Sequence, residues 1–153
     1  MELLRTDRLL LRHWDESDLE AFFDLYSRED VVRWLGEHPR RPLGTMAEAQ
    51  ERLGRWHEHE RGLSPPFGLW AIVPRVPGGL PGQPVGTLLL LPLSDDDGPT
   101  GLVEVGWHLH PQHQGQGLAT SLTTLSSSCP GPRHARPAGR EGYHGVPQGY
   151  LAL

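Results

Sequence analysis

Two rhythms of apolar residues alternate along this chain of 153 residues. Leu19, Phe22, Phe23 and Tyr26 recur at steps of three and four, which lines one face of a helix. Ser17-Asp18-Leu19-Glu20 just before them has the form of a capping box. Asp30 to Leu35 reads as a further helical turn or two, stopped by Gly36. A second long helix is expected from Thr45, with Glu48 at the matching cap position, an apolar stripe at Met46, Ala49, Leu53 and Trp56, and an end at Gly62. The other rhythm is short and compact. Arg8 to His13 reads as a strand around Leu9, Leu10 and Leu11, and so do Phe67 to Val73, Val85 to Leu91 and Leu102 to Leu109. Pro74 to Pro84 and Asp95 to Pro99 are turn or loop segments by their glycines, prolines and aspartates.

The expected order is strand, two helices, a meander of three strands, then a helix opening near Gly117. This predicts an α/β domain of the α+β type, with a mixed, mostly antiparallel sheet and a loop-helix after the fourth strand. From Ser126 to Leu153 neither rhythm persists. Cys129-Pro130-Gly131-Pro132 and Pro137 interrupt any helix, and the segment buries too little apolar surface to offset its ordering entropy. A domain over 1–125 followed by a disordered or irregular tail over 126–153 is the reading.

Bulk numbers narrow the function classes. Lys and Arg total 14 against 19 Asp and Glu, a formal charge of −5, which disfavours sequence-independent binding to a phosphate backbone. Cys129 is the lone cysteine, so an internal disulfide and a cysteine metal cluster are excluded. The N-terminal apolar run closes at Arg12 and the run Thr87 to Leu91 closes at Pro92, both far short of a membrane span. The expectation is a cytoplasmic protein with no nucleic-acid or membrane partner.

The candidate chemistry lies at the end of the fourth strand. Glu104-Val105-Gly106-Trp107-His108-Leu109-His110-Pro111 runs into Gln112-His113-Gln114-Gly115-Gln116-Gly117-Leu118-Ala119-Thr120. Glycines let backbone approach a ligand closely, and successive amides at a helix start favour a phosphate or pyrophosphate. A Walker loop is excluded because Leu118-Ala119 stands where Lys and Ser or Thr are needed. A dinucleotide fingerprint lacks its following strand, since Glu141 falls in the tail. His108, His110 and His113 cluster here with no carboxylate beside them except Glu104, so no metal site is expected.

Gln114-Gly115-Gln116-Gly117-Leu118-Ala119 resembles the acetyl-CoA loop of the GNAT superfamily at each position of its pattern. Arg5 to Arg12, and Glu104-Val105-Gly106-Trp107, are similar to segments of the RimJ/RimL branch. The resemblance implies an N-acetyltransferase that moves an acetyl group from acetyl-CoA to a primary amine by direct attack, the acceptor being a small molecule or a protein N-terminus. It implies a pyrophosphate on Gln114, Gly115, Gln116, Gly117, Leu118, Ala119 and Thr120. The pantetheine arm would pair with the backbone of Trp107, His108 and Leu109. Glu104 is the candidate catalytic base. The resemblance ends near Leu125, where the family adds further strands, so truncation or a change of reading frame after about Thr120 is expected, with the C-terminal elements missing. A degenerate domain that binds coenzyme A weakly or not at all is the alternative, and a strand edge left unpaired would favour a homodimer.

Overall fold

The computed structural model describes residues 2–33, 35, 41–75, 78–95, 98–118, 120–121 and 149–152. Strands β1 (Glu2–Arg5), β2 (Leu9–His13), β3 (Gly68–Pro74), β4 (Gly86–Asp95), β5 (Gly98–Leu109) and β6 (Gly149–Ala152) form one sheet in sequence order. Helices α1 (Leu19–Tyr26), α2 (Glu29–Val32) and α3 (Met46–Arg61) fall between β2 and β3. This is the expected α/β architecture, with the early helices ahead of the meander. Every pairing among the described residues is antiparallel, where a mixed sheet is expected. A parallel partner would have to come from chain beyond the loop, and residues 122–148 lie outside the described set. No helix among the described residues is long and apolar enough to cross a membrane.

The unbroken apolar runs become strands covered on both faces. Leu9, Leu10 and Leu11 are all buried, as is β3 from Gly68 to Val73. Leu10, Ala71 and Val73 meet Phe22, Leu25 and Tyr26 of α1 and Ala49 and Leu53 of α3. Leu9, Leu11, Trp70, Ile72, Leu88, Leu90, Val105 and Leu109 share the opposite face with Leu118, from the turn after β5. Each fully buried leucine or isoleucine contributes about 1.5–3 kcal/mol. These two half-cores fix the register, because a one-residue slip would exchange them.

Several details differ from the sequence reading. β1 was not expected; it pairs with β2 through Arg5↔Leu10, and its outer position accommodates its half-exposed leucines. The cap ahead of α1 sits earlier than Ser17: Asp15 accepts from Ser17 N at 3.0 Å, and Asp15 N donates to Asp18 Oδ2 at 2.9 Å. Arg12 explains the shift, since it holds the Asp18 carboxylate with bonds of 2.5 and 2.8 Å. Met46 is exposed while Ala49 and Leu53 are buried, so the stripe of α3 begins one turn later. Glu60, in the last turn of α3, accepts from Leu69 N at 2.7 Å and ties α3 to β3. Trp34 and Gly36 lie outside the described residues.

The clearest correction concerns the C-terminus. No strand was expected after Ser126, yet Gly149–Ala152 pairs with β5 from Glu104↔Ala152 to Trp107↔Gly149. Gly-Tyr-Leu-Ala contains no proline, and the edge of β5 offers a row of backbone groups to any such segment. The end therefore carries a regular element, against the reading of 126–153 as wholly irregular and of the sheet edge as unpaired.

Candidate functional site

The site is built where β5 ends. Period-two alternation sends Val105, Trp107 and Leu109 to the face shared with Leu118. Glu104 and His108 therefore face the helix layer. His108 is buried there, its Nδ1 3.0 Å from the Tyr26 hydroxyl, which in turn lies 2.7 Å from Thr87 Oγ1. Burial pushes the His108 imidazole down to about 3, so the ring is neutral at any ordinary pH. Its position is structural, clamping β5 and β4 to α1.

Glu104 is half-buried, and among the described residues it has no hydrogen-bond or ion-pair partner. Desolvation raises its pKa above the ordinary carboxylate range. A carboxylate in that condition holds a proton more readily than an exposed one. It lies five residues from Leu109, roughly 17 Å along an extended strand.

Beyond β5 the chain makes a short 3-10 turn, Pro111–His113, capped by His110 Nδ1, which accepts from Gln112 N at 3.2 Å. His110 Nε2 stands 3.0 Å from Asp24 Oδ2, with poor alignment for a hydrogen bond. Burial and the Arg28 charge lower the His110 pKa, and Asp24 partly offsets them. A cleft of about 320 Å³ opens here, lined by Glu20, Asp24, Gln83, Val85, His110 and His113.

The glycine loop follows directly. Gly115 and Gly117 both have left-handed backbone, φ 73° and 76°. A Cβ at Gly115 would meet nothing within 4 Å, so conformation, not crowding, calls for glycine there. The amides of Gly115, Gln116, Gly117 and Leu118 donate to no protein acceptor among the described residues. A helical turn then opens, with Ser121 N on Gly117 O at 3.1 Å. The two glutamines fasten the loop: Gln114 Nε2 donates to Leu109 O at 3.0 Å, and Gln116 Nε2 to Gln112 O at 2.9 Å. Thr120 is exposed, and Ala119 lies outside the described residues.

The structure thus gathers Trp107, His108, Leu109 and the loop at one end of the sheet, and leaves Glu104 farther up the strand. Three contributors were invisible in sequence. Tyr26 reaches His108 across 82 positions, Thr87 reaches Tyr26 across 61, and Arg8 Nη2 donates to Gln116 O at 2.6 Å across 108. No local pattern marks such pairs.

Comparison with known proteins identifies a family. Residues 8–126 match the family model described as an acetyltransferase (GNAT) domain. The chain is 25% identical over 120 residues to the uncharacterized N-acetyltransferase YoaA of Bacillus subtilis (strain 168), covering 78% of this chain and 61% of that protein. It therefore spans less than two thirds of the relative's length.

Proposed function

Because the chain belongs to the acetyltransferase (GNAT) family, we propose that it transfers an acetyl group from acetyl-CoA to a primary amine, on a small molecule or a protein N-terminus. The observation that carries this reading is the loop after β5: four consecutive amides, Gly115 to Leu118, have no acceptor among the described residues. Backbone donors left open on a glycine-rich turn suit the diphosphate of a coenzyme A thioester. Arg5 to Arg12 and Glu104 to Trp107 further support a place in the RimJ/RimL branch.

In this reading Glu104 takes up the proton of the acceptor ammonium through a chain of waters, since it stands several residues up β5 from Leu109. Its desolvation, with no side-chain partner among the described residues, raises its proton affinity. The amine nitrogen attacks the thioester carbonyl, the C–S bond breaks, and the thiolate leaves as a thiol with the second proton shed by the attacking nitrogen. A backbone amide near Leu109 steadies the tetrahedral oxyanion, an interaction worth most in a dry site. The donor arm, expected along Trp107 to Leu109, would pair with His108 and Leu109, since Gly149 of β6 pairs with Trp107. β6 ends at Trp107, so His108 and Leu109 lie past its register.

Isothermal titration with acetyl-CoA tests the reading. Wild-type protein should bind, and Gly117→Leu should not. A side chain at Gly117 must hold φ 76°, costing about 1–2 kcal/mol, and would stand between the backbone and the phosphates. The reading fails if wild type shows no binding at millimolar acetyl-CoA, or if Gly117→Leu binds as well as wild type.

A further inference from the structure

Four described arginines, Arg8, Arg52, Arg61 and Arg75, have no carboxylate within salt-bridge distance, and of these Arg8 reaches the glycine loop. Arg5, Arg12, Arg28, Arg33, Arg41 and Arg55 each face a carboxylate within salt-bridge distance. Arg8 has no such partner among the described residues, although the chain carries a net charge of −5. Its guanidinium instead lies across the glycine loop. Nη2 donates to the neutral carbonyl of Gln116 at 2.6 Å, and Nη1 would be 3.4 Å from a Cβ placed on Gly117.

The side chain is delivered from a firm base. The turn leading into β2 is closed by Thr6 N on Leu9 O at 2.8 Å and Leu9 N on Thr6 Oγ1 at 2.9 Å. Arg8 O accepts from Arg75 N at 2.8 Å, which fixes the Arg8 backbone to the end of β3. A guanidinium carries five N–H donors in a planar fork suited to phosphate oxygens, and one carbonyl uses few of them.

We propose that Arg8 is a binding residue for the donor's phosphate groups, working with the amides of Gly115 to Leu118. The inference rests on the acetyl-CoA reading above and adds the one cation that the loop itself lacks. Arg8 meets the diphosphate through charge-assisted hydrogen bonds, and its bond to Gln116 holds the guanidinium beside the loop beforehand. The turn into β2 thereby selects donors that carry phosphate over the bare pantetheine thioester.

Ligand-observed NMR on wild type, Arg8→Gln and Arg8→Lys, with acetyl-CoA and with S-acetylpantetheine as probes, tests this. Arg8→Gln should weaken acetyl-CoA binding about tenfold or more, the usual effect of losing a hydrogen bond to a charged group. Its binding of S-acetylpantetheine, which has no phosphate, should not change. Arg8→Lys should fall between, keeping the charge without the fork. Wild type should also lose acetyl-CoA affinity with added salt more steeply than Arg8→Gln. If Arg8→Gln binds acetyl-CoA like wild type, or loses both probes in parallel as a mere clasp of the loop would, the assignment of Arg8 is wrong while the acetyl-CoA reading stands. Wild type that binds neither probe overturns both.

Discussion

Acid should unfold this protein through one histidine more than through its surface charge. His108 is buried between β5 and α1, and burial holds its pKa near 3 against 6.5 for an ordinary imidazole. The unfolded chain therefore binds a proton that the fold refuses. The contribution is fully present above about pH 6.5, declines as pH falls below it, and is exhausted near pH 3. The gap of 6.5 minus about 3, at 1.36 kcal/mol for each pH unit, is about 5 kcal/mol in all, of which about 2 is lost by pH 5. Against a typical domain stability of about 5–15 kcal/mol this is a large fraction. The assay is urea unfolding followed by tryptophan fluorescence at pH 7.5 and pH 5.0. In His108→Gln, which keeps an acceptor for the Tyr26 hydroxyl but cannot be protonated, the loss between the two pH values should be smaller than in wild type by about 2 kcal/mol. Tyr26→Phe should keep the full pH dependence, because desolvation and not that hydroxyl sets the shift. Equal losses in wild type and His108→Gln would refute the reasoning, as would a Tyr26→Phe protein whose stability no longer depends on pH in this range.

Two further outcomes follow from the same geometry. Glu104→Gln should keep acetyl-CoA affinity while turnover falls about 100-fold or more; wild-type kcat/KM should decline on the acid side at a pH above the ordinary glutamate range, since desolvation raises the Glu104 pKa and only its ionised form is a base. Unchanged steady-state turnover in Glu104→Gln would remove it from the mechanism. Asp18→Asn should destabilise by about 1–3 kcal/mol, because the buried carboxylate holds both Arg12 and the Asp15 amide; chemical denaturation at neutral pH measures this, and a change below about 0.5 kcal/mol would show the cluster to be replaceable.

Much of the scaffold was legible because its signals are local. Leu9-Leu10-Leu11 reads as a strand covered on both faces since three successive leucines leave no polar side for water. Thr45 caps α3 because a side-chain oxygen two or three residues from an orphan amide needs no tertiary help. The left-handed Gly115 and Gly117 were visible as a loop for the same reason. β1 was harder: Glu2-Leu3-Leu4-Arg5 is four residues at an outer position, with little pattern until Leu9 to Arg12 supplies its partner.

What the sequence by itself determined is thus the element order, the strand–loop–helix segment at Glu104 to Thr120, and the family likeness it carries. Only the tertiary structure decided which groups act on that segment. It brought Arg8 over the loop, shut His108 away from water against Tyr26 and Thr87, left the Glu104 side chain desolvated with no partner among the described residues, and laid Gly149–Ala152 on the edge of β5. The physical reason is that hydrogen bonds, desolvation and strand pairing depend on distances in space. Residues 108 positions apart can share a bond of 2.6 Å, and nothing in their sequence neighbourhoods records it.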